Sequence, residues 1–562
     1  MDLLTRFFLM CLLAVVAPLT LADEAQSKRV DAIFAAWDKP DTPGLALAVV
    51  RGGQVLHRRG YGLANLEYGV ANTPATVFHA ASVSKQFTAF AIHLLAQDGR
   101  LALDDDVRKF LPELQVRGAS LTIRHLLHHT SGLRDQWSLL MLAGVRLDDV
   151  ITEGDILGLL WQQKELNFAP GDEQLYSNSG YTLLGLIVKR VSGQSLAAFA
   201  QARIFGPLGM AHTRFQENYG NPIKGRAYSY RPTNRGYRYV ALSYSNVGAT
   251  SLMTTVDDLL LWQRNFADAK VGGAAVLAAM QQRGKLNNGR EISYASGLVL
   301  GAYRGLAIVE HGGADAAYRS DVLRLPQQDL SVVLLGNAAE LNTAELARRV
   351  ADVYLEGTAD ATAGLEPARS FPAKVWLDER ALAPFVGDFE MRPGFVLSFT
   401  LQGTRLMVQA TGQPMFALYA SAADRFFMKD VVADVRFDAP GADGKVGSAT
   451  WRQGGRELPL KRVSLAPQPP AAEQLQACAG DYFSDELRTL YTLSMRDGKA
   501  LLRYPRGEIE LKPLGGDRFA APFPIELVEV RRNAARACTT LALTTGRVRM
   551  LMFQRVSLVP AP

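Results

Sequence analysis

Cysteine is scarce: three residues in 562, at positions 11, 478 and 538, with no Cys-x-x-Cys pair among them. That excludes a scaffold built on disulfides and a zinc or thioredoxin-type site founded on paired cysteines. Blocks of like charge are also missing. Sixty-one Lys and Arg stand against 55 Asp and Glu, and the net charge of +6 is spread along the chain. Nothing here tracks a phosphate backbone, so nucleic acid is not an expected partner. The apolar run from Phe7 to Ala17 is shorter than the roughly 20 residues that a membrane-spanning helix requires. What is present is ordinary globular composition, 48% hydrophobic and 21% charged, which excludes disordered, collagen-like and coiled-coil readings. At roughly 150 residues per domain, the length predicts three or four folding units.

Residues 1–22 read as a cleavable secretory signal. Arg6 precedes the apolar run, Pro18 breaks it, and Thr20-Leu21-Ala22 stands before Asp23. Cys11 follows Met10 inside the apolar run and does not resemble a lipoprotein attachment site. A periplasmic or secreted location is expected, with no stable membrane span after cleavage. Export places Cys478 and Cys538 in an oxidising compartment, and losing Cys11 with the signal leaves an even number. The two either form a disulfide or stand as separate buried thiols.

Residues 23–356 begin with two β-rich runs, Gly44 to Val50 and Gln54 to Tyr61, joined at Gly52-Gly53 as in a hairpin. Helical patterns follow at 82–97, 121–128, 153–162, 181–191 and 255–266. Strand patterns return at 306–311, 318–325 and 330–335. Strands at both ends with helices between predict an α+β fold, one antiparallel sheet made from distant segments with a helical insertion over it. Residues 357–377 and 466–472 read as linkers. The segments after them, 378–465 and 473–562, repeat each other. Gly387-Asp388-Phe389 recurs as Gly480-Asp481-Tyr482, Asp424-Arg425-Phe426 as Asp517-Arg518-Phe519, and Arg462-Val463-Ser464-Leu465 as Arg555-Val556-Ser557-Leu558. One offset for three landmarks marks a duplicated domain. About eight short strands in the first copy, from Phe385 to Val463, predict a small up-and-down barrel, which removes exposed sheet edges, with a β-sandwich as the alternative.

Chemistry concentrates in the first domain. Ser82-Val83-Ser84-Lys85 opens a helical pattern, and residues three apart on a helix share a face, so the lysine amine can approach the serine hydroxyl. A serine hydroxyl needs a neighbouring base, and a desolvated lysine with a lowered pKa can be one. Tyr176-Ser177-Asn178 lies in a polar loop before the next helix, where a phenol and an amide can project into a cleft. His311-Gly312-Gly313 closes a strand, and its glycines allow a substrate backbone close to the sheet edge.

These three motifs, in this order, resemble the serine β-lactamase and penicillin-binding protein superfamily, and most closely its class C-like branch of esterases, D-aminopeptidases and DD-carboxypeptidases. Ile123 through Leu133, Phe205 through Met210 and Ser251 through Leu259 are similar to further segments of that family. The two C-terminal repeats resemble the lipocalin-like modules appended to some D-aminopeptidase-like and archaeal serine peptidases.

The resemblance implies roles. Ser82 would be the acylated nucleophile and Lys85 its proton acceptor. Tyr176 would relay protons to the leaving group and then activate water. Asn178 would bond Lys85 and a substrate amide, and His311 would stand beside Tyr176 to bind substrate or shuttle a proton. The backbone N–H groups of Ser82 and Ala314 would form the oxyanion hole, with Gly312 and Gly313 beside the substrate. Where the family has Lys-Thr-Gly this chain has His-Gly-Gly, so the permanent cation that grips a carboxylate is absent. That favours an esterase, amidase or D-aminopeptidase acting on a small molecule or short peptide over a DD-carboxypeptidase or β-lactamase. A non-catalytic binder of cell-wall peptides is the alternative of another class. In D-aminopeptidase-like relatives a loop from an appended barrel reaches the active site and restricts substrate size, which implies a similar gate here. No cofactor is implied. His125, His128 and His129 have a spacing that could place them together on a helix, but no Glu of the His-Glu-x-x-His kind accompanies them, so no metal is expected.

Overall fold

Leu45, Leu47 and Val49 face one core while Ala46 and Ala48 face another, the two-residue period of a strand covered on both sides. The computed structural model describes residues 21–118, 120–356, 372, 375–392, 395–403, 405–410, 415–428, 433–453, 456–463 and 475–556. Most of the signal segment with Cys11, most of the first linker and all of the second lie outside the described residues.

Six strands form the central sheet: β1 (Leu45–Arg51), β2 (Gln54–Tyr61), β3 (Val299–Tyr303), β4 (Leu306–Asp315), β5 (Tyr318–Leu325) and β6 (Leu330–Gly336). Their order is β3-β4-β5-β6-β1-β2, and every neighbouring pair is antiparallel. The sheet is therefore closed by pairing β6 to β1, from opposite ends of the domain, as the strand pattern predicts. Helices Leu21–Phe34 and Thr343–Leu355 cover one face through Val30, Phe34, Leu346 and Val350. The helical insertion covers the other. Alanines at 46 and 48 leave room there for helix Ser84–Gln97, which is buried from Ser84 through Leu95. Burying each of its large apolar side chains contributes about 1.5 to 3 kcal/mol. Its polar groups are answered within the core: Trp262 donates to Gln86 at 2.8 Å, and Thr88 donates to the Gly248 carbonyl at 2.8 Å.

Three local differences from the sequence pattern have physical causes. The helix predicted from Ser82 begins at Ser84, preceded by a 3₁₀ turn over Ala81–Val83, because Ala81 takes a left-handed φ of 47°. The helix predicted from Tyr181 starts at Asn178, where a distant carboxylate caps it. Strand β4 does not stop at His311 but runs on through Gly312 and Gly313 to Asp315, held by β5. Strand β3 and helices Gln136–Leu142 and Gly273–Met280 carry no clear periodicity and escape the sequence pattern. Among the described residues no single helix is long and apolar enough to cross a membrane.

Both C-terminal repeats are closed eight-stranded barrels, from Gly387–Arg392 to Arg456–Val463 and from Gly480–Ser484 to Val548–Val556. The duplicated residues form a common clasp. Arg462 donates to the carbonyls of Pro384 and Val386 at 2.8 and 2.9 Å. Arg555 donates to those of Ala477 and Ala479 at 3.0 and 2.6 Å. Gly387 and Gly480, at φ 142° and 147°, lie against these guanidiniums, and a Cβ at Gly387 would sit 2.1 Å from Arg462. Cys478 and Cys538 are disulfide-bonded in the second barrel, with Cα atoms 5.2 Å apart.

One expected boundary needs correction. The end of the predicted 357–377 linker is part of the first barrel, since the Val375 N–H bonds the Ala420 carbonyl at 2.9 Å. The second barrel packs against the first domain. Its core is continuous with that of the hydrolase domain, and a buried Arg134–Glu486 pair joins the two at 2.6 Å, with side chains 2% and 9% exposed. Tyr491 of the barrel also donates to the Leu142 carbonyl at 2.8 Å.

Candidate active site

The turn that presents Ser82 is held from three sides. His79 Nδ1 accepts from the Ala81 N–H at 3.1 Å, Ser84 donates to the Ala81 carbonyl at 2.5 Å, and Ser320 donates to the Ala80 carbonyl at 2.8 Å. A left-handed alanine costs about 1 to 3 kcal/mol and persists only where its surroundings impose it. Because His79 Nδ1 is the acceptor, Nε2 carries the hydrogen and faces Thr250 Oγ1 at 3.2 Å, and Thr250 in turn donates to Asp315. Burial lowers the His79 pKa to about 3, which fixes this neutral tautomer. The same relay thus orients both the nucleophile turn and the far end of β4.

Lys85 is fully buried, and its Nζ has three oxygen neighbours: Ser82 Oγ at 3.0 Å, Asn178 Oδ1 at 2.9 Å and the Ala249 carbonyl at 2.7 Å. Burial holds its pKa well below the ordinary lysine value, opposed by Asp315 and Asp135 and assisted by Arg547. A neutral amine has two hydrogens. Asn178 and Ala249 can only accept, so they take both, and the lone pair is left facing the Ser82 hydroxyl.

Asn178 is oriented by Asp135, whose Oδ2 accepts from both its backbone N–H and its side-chain amide at 2.8 Å. Asp135 is buried, and its own backbone N–H donates to the carbonyl of Arg547 at 3.2 Å. Arg547 lies in the turn between strands Cys538–Thr545 and Val548–Val556 of the second barrel. Its guanidinium approaches Asp135 Oδ2 at 3.8 Å and stacks 5.0 Å from the centre of the Tyr176 ring. Asn167 pins the turn further, donating to the Arg547 carbonyl at 3.0 Å and accepting from the Arg549 N–H at 2.7 Å. A loop from the barrel therefore lies against the site, where the resemblance implies a gate.

Tyr176 packs 4.1 Å from the His129 ring, and Lys85 Nζ is 4.9 Å from its ring centre. Burial raises its phenol above the ordinary tyrosine value, while an interaction with Ser82 offsets part of that rise. His311 is 6.4 Å from Tyr176, ring centre to ring centre. Its Nδ1 is 2.6 Å from the Gly312 carbonyl and can only donate to it, so Nε2 accepts from the Tyr294 hydroxyl at 2.9 Å. Both nitrogens are thus engaged within the protein, and burial lowers the pKa to about 4. In this arrangement the ring holds Tyr294 and the strand. Gly312 and Ala314 remain exposed on β4. Gly313 abuts the nucleophile turn so closely that a Cβ there would lie 2.6 Å from the Ala80 carbonyl oxygen and 2.9 Å from Ser82 N.

The structure thus gathers Ser82, Lys85, Tyr176, Asn178, His311 and the Gly312-Gly313-Ala314 stretch around one cleft. Among residues the sequence pattern missed, Asp135 had a signal, an Asp immediately ahead of a helix where an N-cap belongs. Tyr294, Thr250 and Asp315 had none. Nor did Arg547, which belongs to another domain. The histidines with metal-like spacing serve the backbone instead: His125 accepts from the Thr122 N–H at 3.2 Å and His129 from the Ser177 N–H at 3.1 Å. Among the described residues no group of three or more His, Cys, Asp or Glu side chains could hold a metal ion.

Residues 30–355 match the family model described as Beta-lactamase, and residues 372–462 match a domain of unknown function, DUF3471. The chain belongs to the beta-lactamase family of serine hydrolases and penicillin-binding-protein-like enzymes. Penicillin-binding protein 4* of Bacillus subtilis is 28% identical over 442 residues, covering 75% of this chain and 95% of that protein. A D-aminopeptidase of Gluconobacter oxydans is 30% identical over 313 residues, 54% of this chain and 58% of that enzyme's length. The fold matches the octameric penicillin-binding protein homologue from Pyrococcus abyssi with a TM-score of 0.54 at 20% identity, over 86% of this chain and 99% of that one.

Proposed function

We propose that this chain is an exported serine hydrolase acting through an acyl-Ser82 intermediate on esters or amides, as an esterase/amidase or a D-aminopeptidase-like peptidase. The observation that carries this reading is the Lys85 cage, in which two acceptors consume the amine hydrogens and leave its lone pair 3.0 Å from Ser82 Oγ. Lys85 takes the serine proton as Oγ attacks the scissile carbonyl. The oxyanion forms against the N–H groups of Ser82 and Ala314, each such donor being worth about 3 kcal/mol. Tyr176, kept protonated by its surroundings, delivers a proton to the leaving group and then serves as base for the incoming water. A DD-carboxypeptidase or β-lactamase would need a fixed cation where His311 sits neutral, which favours the first reading.

A fluorophosphonate probe tests it directly. Peptide mapping should place the adduct on Ser82. Ser82→Ala and Lys85→Ala should each lower p-nitrophenyl acetate turnover by several orders of magnitude, since members of one catalytic unit fail together. Wild-type turnover in Ser82→Ala would refute the assignment. Export is tested by N-terminal sequencing of the mature protein, expected to begin after Ala22.

A further inference from the structure

Ala314 also lines a cavity of about 710 Å³ between the hydrolase domain and the second barrel. Arg231 and Arg238 enter it from the hairpin Tyr230–Thr233 and Gly236–Tyr239, Arg319 from the start of β5, and Arg506 from the barrel. None of the four forms an ion pair among the described residues. The Arg319 side chain donates to its neighbour's carbonyl, that of Tyr318, at 2.7 Å; burial and the charge of Arg231 disfavour its cation, while the more distant Asp315 and Glu340 favour it.

Two carboxylates share the cavity, Asp148 in the field of Arg238 and Asp315 in that of Arg319, and each has closer partners. Asp148 is held by Arg146 of its own loop, through Nε at 2.8 Å and Nη2 at 2.5 Å. Asp315 accepts from Thr250 and faces Lys85. The remaining lining is apolar, part aliphatic through Met141, Leu147 and Val240 and part aromatic: Trp137 stacks on Tyr244 at 4.8 Å, and Phe523 of the barrel is 69% exposed. Arginines without an ion pair among the described residues, beside an apolar lining, suit a carboxylate carried on an apolar stem, since a guanidinium offers paired donors to such a group.

The roles proposed above fix which part of the substrate would lie here. Tyr176 protonates the leaving group on the His311 side of the oxyanion hole, so the acyl part continues along β4 past Ala314 toward Asp315 and Arg319. Resting on that reading, we infer that the cavity is an acyl subsite for anionic substrates, esters or amides whose acyl chain ends in a carboxylate held by Arg231, Arg238, Arg319 and Arg506. The cation missing at position 311 would have gripped the leaving-group side. This cluster acts on the opposite side of the scissile bond, with one member supplied by another domain.

The test compares two esters of equal chain length on the full-length protein: p-nitrophenyl hexanoate, ending in a methyl, and mono-p-nitrophenyl adipate, ending in a carboxylate. The wild type should favour the adipate ester in kcat/KM by about tenfold or more at low salt, with the preference shrinking as salt is added. Arg238→Glu and Arg506→Glu, both at exposed positions, should raise KM for the adipate ester about tenfold while changing hexanoate turnover by less than about twofold. Equal kcat/KM for the two esters in the wild type, or charge reversals that move both esters alike, would overturn the subsite. Fluorophosphonate labelling of the same samples separates the layers. Labelling at Ser82 without adipate preference removes the subsite alone, whereas no labelling and no turnover of either ester removes the hydrolase reading and the subsite with it.

Discussion

A single guanidinium from the second barrel bears on the protonation of Lys85. Arg547 disfavours the ammonium form, adding to the larger effect of burial. An ammonium cannot accept the Ser82 proton, so activity should rise as pH passes through the Lys85 pKa. Arg547→Gln removes a positive charge and raises that pKa. The acid limb of the kcat/KM profile for p-nitrophenyl acetate should therefore move to higher pH, whereas an unchanged limb would separate Arg547 from Lys85. Asp321 makes a second case. It is 1% exposed on β5, its Oδ1 has no hydrogen-bond partner among the described residues, and burial with help from Glu310 raises its pKa to about 7. In the unfolded chain the same group ionises near pH 4. The folded state therefore binds the extra proton between those values, and its stability falls as pH rises through that window. Asp321→Asn should abolish this loss and raise the melting temperature most above pH 7, as thermal unfolding at several pH values would show.

At the scale of elements, the approach of β4 to the nucleophile turn tolerates no side chain at Gly313. A Cβ there meets the Ala80 carbonyl oxygen and Ser82 N, both backbone atoms with nowhere to go. Gly313→Ala should cost about 1 to 3 kcal/mol in denaturant unfolding and lower kcat much more than KM, because it moves the oxyanion donors rather than the cleft walls. Ser82, Lys85, Tyr176 and Asn178 were legible in the sequence because each lies in a short motif on or beside a strong helical pattern. The sheet was legible because β1 and β6 are continuous apolar runs. Strand β3 was not, since Val299–Tyr303 pairs only at the sheet edge and contains Gly301. The extension of β4 through two glycines was hidden as well, because its register is imposed by β5 rather than by its own residues. Arg462 and Arg555 show why the barrel repeat was readable. The same clasp needs the same glycine, so sequence and geometry repeat together.

For the whole molecule, the second barrel completes the hydrolase rather than hanging from it. Arg134→Ala would strand Glu486 in the interface and should cost about 3 to 5 kcal/mol in urea unfolding, while replacing both partners by apolar residues should recover much of the loss. Removing the Cys478–Cys538 bond, which closes a loop of 60 residues, should cost roughly 4 kcal/mol by chain entropy. Mass spectrometry of the unreduced protein should find no free thiol at either position. Truncation after residue 356 would uncover Arg134 and the apolar surface around Leu142, so a soluble fragment should bind hydrophobic dyes and accept bulkier esters with a shifted pH profile; native-like size selection in such a fragment would contradict the gate. The placement of Arg547 also has a consequence in time. It is synthesised 465 residues after Ser82. At about 5 to 20 residues per second, the nucleophile exists for roughly half a minute or more before the turn that steadies Asp135 and Asn178 has been made. A nascent chain thus carries its serine and lysine without the support that orients them, and the hydrolase matures only when the second barrel folds onto it.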